Sequence, residues 1–297
     1  MEHPVQKVNA DFIGGVRYEA PDHAGIAEEG LLCADMHFHT NSSDSFTDVG
    51  TLLKLAGKRG TGLSITDHNL ISGLLKAEAE KTDVFIVPGI EVSTTDGPHI
   101  LVYFYSLSEL EEFWKKEISG RLRSCPWLAL KDCTTAQLLN RLEGSNCIVS
   151  AAHPMGYFGS NKGAEACNRK GYIDDATISR MDAYEVLCSG MLRENNTDAL
   201  KAADRHALKY TGGTDGHLLN EVGNVVTYSE SQDLDGFLDS IVKGRAGIVG
   251  LEKDSQHRVM MGCASFTKFV MHGIPAFYTE LCLLGPNIRR GLGRRIG

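Results

Sequence analysis

Between residues 31 and 245, short apolar runs alternate at least six times with segments of helical spacing. That alternation leaves few architectures open. Each strand must bury its faces, and each helix its apolar stripe, against the next unit, which argues for a parallel α/β sheet covered by helices. The strand candidates are 31–36, GLSIT (62–66), DVFIVPGIEVS (83–93), HILVYFY (99–105), CIVSAAHP (147–154), MDAYEVL (181–187) and KYTGGTDGH (209–217). VGNVVTY and GIVG add short strands near the end. Pro88-Gly89 predicts a bend inside the third run. Seven strand–helix units in this span suit a closed barrel better than an open sheet.

The helices carry their own start signals. Asp48 offers an N-cap to Val49, Leu52, Leu53 and Ala56, and Gly60 ends that stretch. Ser108 is expected to cap a helix running to about Ile118, and Thr134 or Thr135 to cap AQLLNRLEG. NNTDALKAADRHAL (195–208) turns Ala199, Leu200, Ala203 and Leu208 inward, with Asn196 a candidate cap. Residues 155–180 show weak periodicity, four glycines and several cations. A loop that long in a compact domain usually covers a binding site, so a lid is expected there.

The chemistry gathers at strand ends. His37 and His39 are two residues apart, so one strand face presents both, and Asp44 follows five residues later in a Ser/Asn/Asp loop. His68 follows the second strand, Glu91 lies at the third, His153 ends the fifth, and Asp215 and His217 end the seventh. His99 opens its run, so the fourth strand is either short or antiparallel to its neighbour. Six of eleven histidines fall at such positions. A bare H-x-H reads as surface histidines as readily as it reads as ligands. Six together describe a metal site built from several strands on the C-terminal face of a barrel.

In this order, DMHFHTNSSD, ITDH, PGIEVS, GPHIL, AAHP and GTDGH resemble the motifs of the PHP (polymerase and histidinol phosphatase) superfamily over roughly residues 32–250. YEVL, NTDALKAA and EVGNVVTY look like a subgroup of stand-alone phosphoesterases within it. The resemblance implies an α/β fold, a distorted (β/α)7 TIM-like barrel, holding three divalent metal ions at strand C-terminal ends. All nine ligand positions are filled. His37, His39, Glu91 and Asp215 would hold one ion. Glu91 would bridge to a second, with His99 and His153, while Asp44, His68 and His217 would hold the third. Glu91, Asp215 and His217 are the expected catalytic residues. Ser45 departs from the family, which often has glycine after the aspartate.

Imidazoles and carboxylates without thiolates suit manganese, iron or zinc rather than calcium. Ions roughly 3.5–4 Å apart can clamp the attacking and leaving oxygens of a phosphoryl group, and bound water ionises near pH ~7 instead of ~15.7. The implied reaction is hydrolysis of a phosphate ester, of a small metabolite or nucleotide, by a hydroxide bridging the ions. Rival readings are a histidinol-phosphate phosphatase, a short-oligonucleotide exonuclease, an amidohydrolase, or a non-catalytic PHP binding module. An amidohydrolase lacks its usual lysine bridge here, and a degenerate module would have lost ligands that this chain keeps.

Asp35 and Asp67, beside ligands, are candidates to orient histidines or simply to cap. Arg193 is the candidate phosphate-binding cation, since an arginine fork matches phosphate, with a surface salt bridge as its alternative. Lys162, Arg169 and Arg180 compete for that role.

The expected organisation is an N-terminal extension (1–30), a catalytic barrel (31–250) and a helical extension with a basic tail (251–297). In the last, an apolar stretch from Val259 to Met271 and PAFYTELCLLG precede IRRGLGRR. Two helices packed on the barrel with a frayed tail are expected there, against an interface or anionic-surface anchor. A net charge of −8 carries no global basic field, so nucleic acid is not an expected partner. Eight cysteines without C-x-x-C, no leader pattern and no apolar run of membrane-spanning length fit a cytoplasmic protein acting on a small phosphorylated substrate.

Overall fold

The structure is a computed structural model, and it describes residues 15–157 and 160–271. Its strands are β1 (Val16–Arg17), β2 (Leu32–Phe38), β3 (Gly62–Ile65), β4 (Gly89–Ser93), β5 (His99–Phe104), β6 (Cys147–Ala151), β7 (Ala183–Cys188), β8 (Lys209–Gly213), β9 (Val225–Ser229) and β10 (Gly247–Gly250). They form a mixed α/β fold with two five-stranded sheets, in the orders β1-β10-β9-β2-β3 and β4-β5-β6-β7-β8.

The single closed parallel barrel expected from the alternation is therefore not what the ladders draw. β5 runs antiparallel to both β4 and β6, and β9 runs antiparallel to β2 and β10. The cause is local. Only residues 94–98 separate β4 from β5, and so short a connection permits only an antiparallel pair. His99 thus opens an antiparallel strand, one of the two options its position left. Of residues 83–88, expected in the third strand, Ile86 pairs as an isolated parallel bridge to Leu63, and the named strand begins only at Gly89.

The second sheet still meets the first at both of its own edges, beside β8 and beside β4. Phe38 bridges Gly216 on one side, while Leu63 bridges Ile86 and His68 bridges Glu91 on the other. His39 N donates to the Gly216 carbonyl at 2.9 Å, and Asn69 N donates to the Glu91 carbonyl at 2.8 Å. Six of the nine predicted ligands (His37, His39, His68, Glu91, Asp215 and His217) lie within or directly beside these bridges, where the ladders stop.

The helices are α1 (His23–Glu28), α2 (Val49–Arg59), α3 (Ser72–Ala79), α4 (Leu107–Phe113), α5 (Thr135–Leu142), α6 (Ala164–Arg169), α7 (Asp175–Ile178), α8 (Arg193–Arg205), α9 (Leu234–Val242) and α10 (Ser255–Met271). Asp48 caps α2 by accepting from Thr51 N, and Gly60 ends it in the left-handed region. Thr134 and Gln137 form a capping box on α5. Ser106, not Ser108, caps α4, which passes into a π turn at Trp114–Ile118. α8 begins two residues earlier than expected. Asn196 is therefore no cap, and its buried amide bonds Cys188 N and O across to β7. The expected lid at 155–180 contains α6 and α7 rather than a featureless loop.

The main core joins α2 and α3 to the sheet interior through Leu52, Leu63, Leu74, Ile90, Ile100 and Val149. β1 lies against β10, so residues 16–17 belong to a sheet. α10 leaves Val259, Met260, Phe266 and Val270 exposed. The second expected helix and the basic tail lie outside the described residues. Among the described residues no helix is long and apolar enough to cross a membrane.

Candidate metal centre

β2 alternates so that Ala34, Met36 and Phe38 face apolar core while Asp35 and His37 face the other way, with His39 just beyond the strand. His37 Nε2 and His39 Nε2 lie 3.1 Å apart, and Asp215 Oδ1 is 3.4 Å from the first and 3.1 Å from the second. Asp44 folds back over this pair. Its Oδ2 is 2.9 Å from His217 Nε2 and 3.5 Å from His68 Nε2, and its Oδ1 is 3.5 Å from His39 Nδ1.

Glu91 sits at the middle. Its Oε2 faces His68 Nδ1 at 2.8 Å, His39 Nε2 at 3.3 Å and His37 Nε2 at 3.5 Å. Its Oε1 faces His99 Nδ1 at 3.2 Å and His153 Nε2 at 3.3 Å. All nine predicted ligands are buried and in one cluster. Four overlapping groups have metal-holding geometry: His37, His39 and Asp215; His39, Asp44 and His217; His39, His68 and Glu91; and Glu91, His99 and His153.

The donors fit cations. Both Glu91 oxygens, His39 Nδ1, His68 Nδ1, both His99 nitrogens and His153 Nδ1 are buried without a hydrogen bond. Buried polar atoms are seldom left so, and a cation is what this set of nitrogens and oxygens would satisfy. Electrostatics point the same way. Burial pushes the carboxyls of Asp44, Glu91 and Asp215 up, yet the surrounding imidazoles outweigh it and hold all three well below the carboxylate range. Burial draws His99 down to about 3, whereas Glu91 and Asp44 overcome burial at His68 and raise it to about 10. The protein thus keeps its carboxylates ionised in a place that burial alone would neutralise.

Backbone strain concentrates here. Asp215 and His153 have φ of +47° and +29°, and Asn69, after His68, has +55°. Such conformations persist only where the surroundings impose them. Glu185 does so for His153, accepting its N–H at 2.7 Å while its other oxygen takes His37 Nδ1 at 2.9 Å. Lys253 does so for Asp215, donating to its carbonyl at 2.9 Å and pairing with Glu221 at 3.2 Å. Glu221 in turn accepts from His217 N at 2.9 Å. The Asn69 amide ties Pro126, Leu128 and Ser93.

Glu185, Lys253, Glu221 and Tyr157 went unnoticed in the sequence. Glu185 had a signal: it is the one charge inside the apolar strand AYEVLC. Lys253 and Tyr157 had none, since each reaches the cluster only through tertiary packing. The Tyr157 hydroxyl donates to Asp215 Oδ2, and its ring lies 4.9 Å from that of His153.

Asp35 and Asp67 do not touch imidazole rings. Asp35 accepts from Thr214 and Gly223 backbone N–H groups at 2.8 Å each. Asp67 accepts from Thr40 N and Ser43 Oγ, which fixes the loop carrying Asp44. Both act on backbone rather than on tautomers. Ser45 Oγ donates to the His217 carbonyl at 2.7 Å, so the serine at this departure locks two ligand loops together.

The candidate substrate cations are not brought to one place. Arg193 forks onto Glu252 at 2.6 and 2.7 Å and stacks over Tyr18. Arg180 precedes β7, at the strand end away from the cluster. Lys162 lies nearer, its carbonyl accepting from His99 N at 2.8 Å. Arg169 pairs with Glu165 at 3.2 Å on α6.

The family model described as PHP-associated matches residues 193–246. No curated protein matches the chain. Among solved structures, PsfC from Pseudomonas syringae is 18% identical with a TM-score of 0.56, over 81% of this chain and 99% of that one. A two-domain protein from Bacteroides vulgatus, containing a predicted PHP-like metal-dependent phosphoesterase, is 16% identical with a TM-score of 0.53, over 89% and 75%. The lesion-specific endonuclease PfuEndoQ from Pyrococcus furiosus is 17% identical with a TM-score of 0.57, over 73% of this chain and 57% of its own. The chain thus has the fold of the PHP-like metal-dependent phosphoesterases and carries the PHP-associated segment between residues 193 and 246.

Proposed function

We propose that the protein is a metal-dependent hydrolase of phosphate esters, acting on a small metabolite or nucleotide at a centre of three divalent ions. The observation that carries this is the buried cluster in which Glu91 faces five imidazoles and leaves both its oxygens without hydrogen bonds. His37, His39 and Asp215 would hold one ion, Glu91, His99 and His153 a second, and Asp44, His68 and His217 a third, with Glu91 shared. The distorted barrel of the family, with 31–250 as catalytic unit and 1–30 and 251–297 as extensions, belongs to the same reading. Its support is the pair of bridged edges between the sheets.

When bound, such ions supply a nucleophilic water near neutral pH and charge to offset the phosphate oxygens. The chain's own residues supply position. Glu185 fixes the face that His37 presents, and Lys253 holds Asp215 in its strained turn. Ser45 keeps the Asp44 and His217 loops in register.

A second reading, a nuclease, draws on the Pyrococcus neighbour named as a lesion-specific endonuclease, while the net charge of −8 disfavours a long phosphate backbone. Phosphate release from mononucleotides, bisphosphates, cyclic phosphates, histidinol phosphate and short oligonucleotides, measured with Mn²⁺, separates these. The expected outcome is release from small esters, abolished by chelator. Glu91→Gln should lower the content of more than one ion together. A Glu91→Gln protein with full metal content and ordinary turnover would remove the shared role.

A further inference from the structure

Asp215 is held from several directions at once. Its φ is +47°, and Lys253 Nζ donates to its carbonyl at 2.9 Å. Its Oδ1 faces His39 Nε2 at 3.1 Å and His37 Nε2 at 3.4 Å. Its Oδ2 accepts from the Tyr157 hydroxyl. A neutral phenol has one proton to give, and here the carboxylate takes it. Cys188 Sγ, 3.4 Å from the same phenol oxygen, is left to act as donor to it. One Asp215 oxygen is thus engaged within the protein, and the other is turned toward two imidazoles.

The phenol is itself confined. Gly190 stands against it: a Cβ there would lie 2.3 Å from the hydroxyl oxygen and 3.0 Å from Cε1. Gly190 cannot readily retreat, because the turn that carries it is fastened. Met191 N donates to the Cys188 carbonyl at 3.1 Å, and Ser189 N to the Gly213 carbonyl at 3.2 Å. Lys253 N donates to the Ser189 carbonyl at 2.7 Å, and Ser189 Oγ to the Leu251 carbonyl at 2.9 Å. The Asn196 amide of α8 bonds Cys188 N and O at 3.1 Å each. The Tyr157 ring lies 4.9 Å from the ring of His153, which the proposed function gives to a different ion.

We infer that Tyr157 is a positioning residue for the metal centre: backed by Gly190, its phenol fixes Asp215 so that Oδ1 is the oxygen presented with His37 and His39. This rests on the metal-centre part of the proposed function and on no assignment of substrate. Hydrogen-bonded partners behind a metal-binding side chain set its orientation and tune affinity. Gly190 acts by the side chain it lacks. Asn196 steadies the same turn from within the PHP-associated segment, which gives that segment a physical link to the centre.

The test titrates chelator-treated protein with Co²⁺ and follows visible absorption. Asp215→Asn should weaken one binding step. Tyr157→Phe keeps the ring and should weaken that same step by about tenfold, the lower end of what such partners contribute. Gly190→Ala keeps the hydroxyl but displaces it, and should give a similar loss. Both act through one bond, so the double variant should lose no more than either single one. Losses that multiply would mean two separate packing defects and would overturn the inference. If Gly190→Ala does not fold, Asp215→Asn combined with Tyr157→Phe decides, since with Asp215 altered the phenylalanine should cost nothing further. Unaltered Co²⁺ affinity in Tyr157→Phe, or weakening of a step that Asp215→Asn leaves intact, also overturns it. Ester hydrolysis is read separately. Affinity lost as expected, with no ester hydrolysed by the unaltered protein, upholds the positioning role and sinks the phosphoesterase reading. Hydrolysis with affinity unaltered in Tyr157→Phe does the reverse, and a protein that takes up no Co²⁺ overturns both.

Discussion

Glu185 links two of the proposed ligands, His37 and His153, which come from different strands. One oxygen takes the His37 ring nitrogen and the other takes the strained His153 backbone. Replacing it with glutamine keeps the shape but exchanges one acceptor oxygen for a donor, so one of the two bonds must fail. Partners behind metal-binding histidines typically matter by about 10–100-fold in metal affinity or activity. Glu185→Gln is therefore expected to weaken metal binding by about that factor, read by titration against a metal-sensitive dye. Unaltered affinity would show that His37 needs no such support. At this scale the residues of the cluster were legible because histidine and carboxylate are rare in strands, and His37, His39, His68 and His153 each close an apolar run. Glu185 was equally legible as a lone charge in AYEVLC. Lys253 was not, since nothing near it in sequence marks a lysine that ends buried against Asp215 and Glu221.

Between elements, the decisive places are the two bridged edges. β2 and β8 approach without a continuous ladder, and Gly213 allows it: a Cβ there would lie 2.5 Å from His37 Cβ and 2.6 Å from His37 N. Backbone cannot yield as a flexible side chain can. Gly213→Ala should cost about 1–3 kcal/mol, the usual range for overpacking, and should displace His37 as well. Denaturant unfolding together with metal content checks both effects, and a stable variant with full metal content would contradict the tight seam. Alternation of strands and helices was readable from pattern, but orientation was not. The 94–98 connection alone carried that information, and it reversed β5. Tyr105, just past β5, gives a pH test of another junction. Burial, with its bond to Asp239 on α9, raises its phenol to about 12. A phenol that holds its proton more tightly folded than unfolded adds stability that is complete below pH ~10 and fades as pH rises through its folded pKa. Tyr105→Phe should therefore flatten the decline in unfolding midpoint over that window. An unchanged slope would mean that the bond to Asp239 adds nothing.

For the molecule as a whole, the cluster is a concentration of buried polar groups that the apolar core does not account for. Six imidazoles and three carboxylates lie together, each less than 10% exposed. Burial opposes every charge among them, and seven of their nitrogens and oxygens lack hydrogen bonds. Ions that bind the folded centre and not the unfolded chain stabilise it by mass action, by about 2.7 kcal/mol at a hundredfold excess over Kd. For a domain of this size each kcal/mol shifts the midpoint by about 2–4 °C, so metal loading should raise it by roughly 5–10 °C. The shift should grow with the logarithm of free metal, and chelator should reverse it. Glu91→Gln should blunt the shift, because the carboxylate it alters faces five of the six imidazoles. Arg193→Ala should leave it intact, because Arg193 is committed to Glu252 and Tyr18 at a distance from those ligands. If chelated and Mn²⁺-loaded protein unfold at the same temperature across the whole titration, these nine residues hold no ion, and the orphaned nitrogens and oxygens need another explanation.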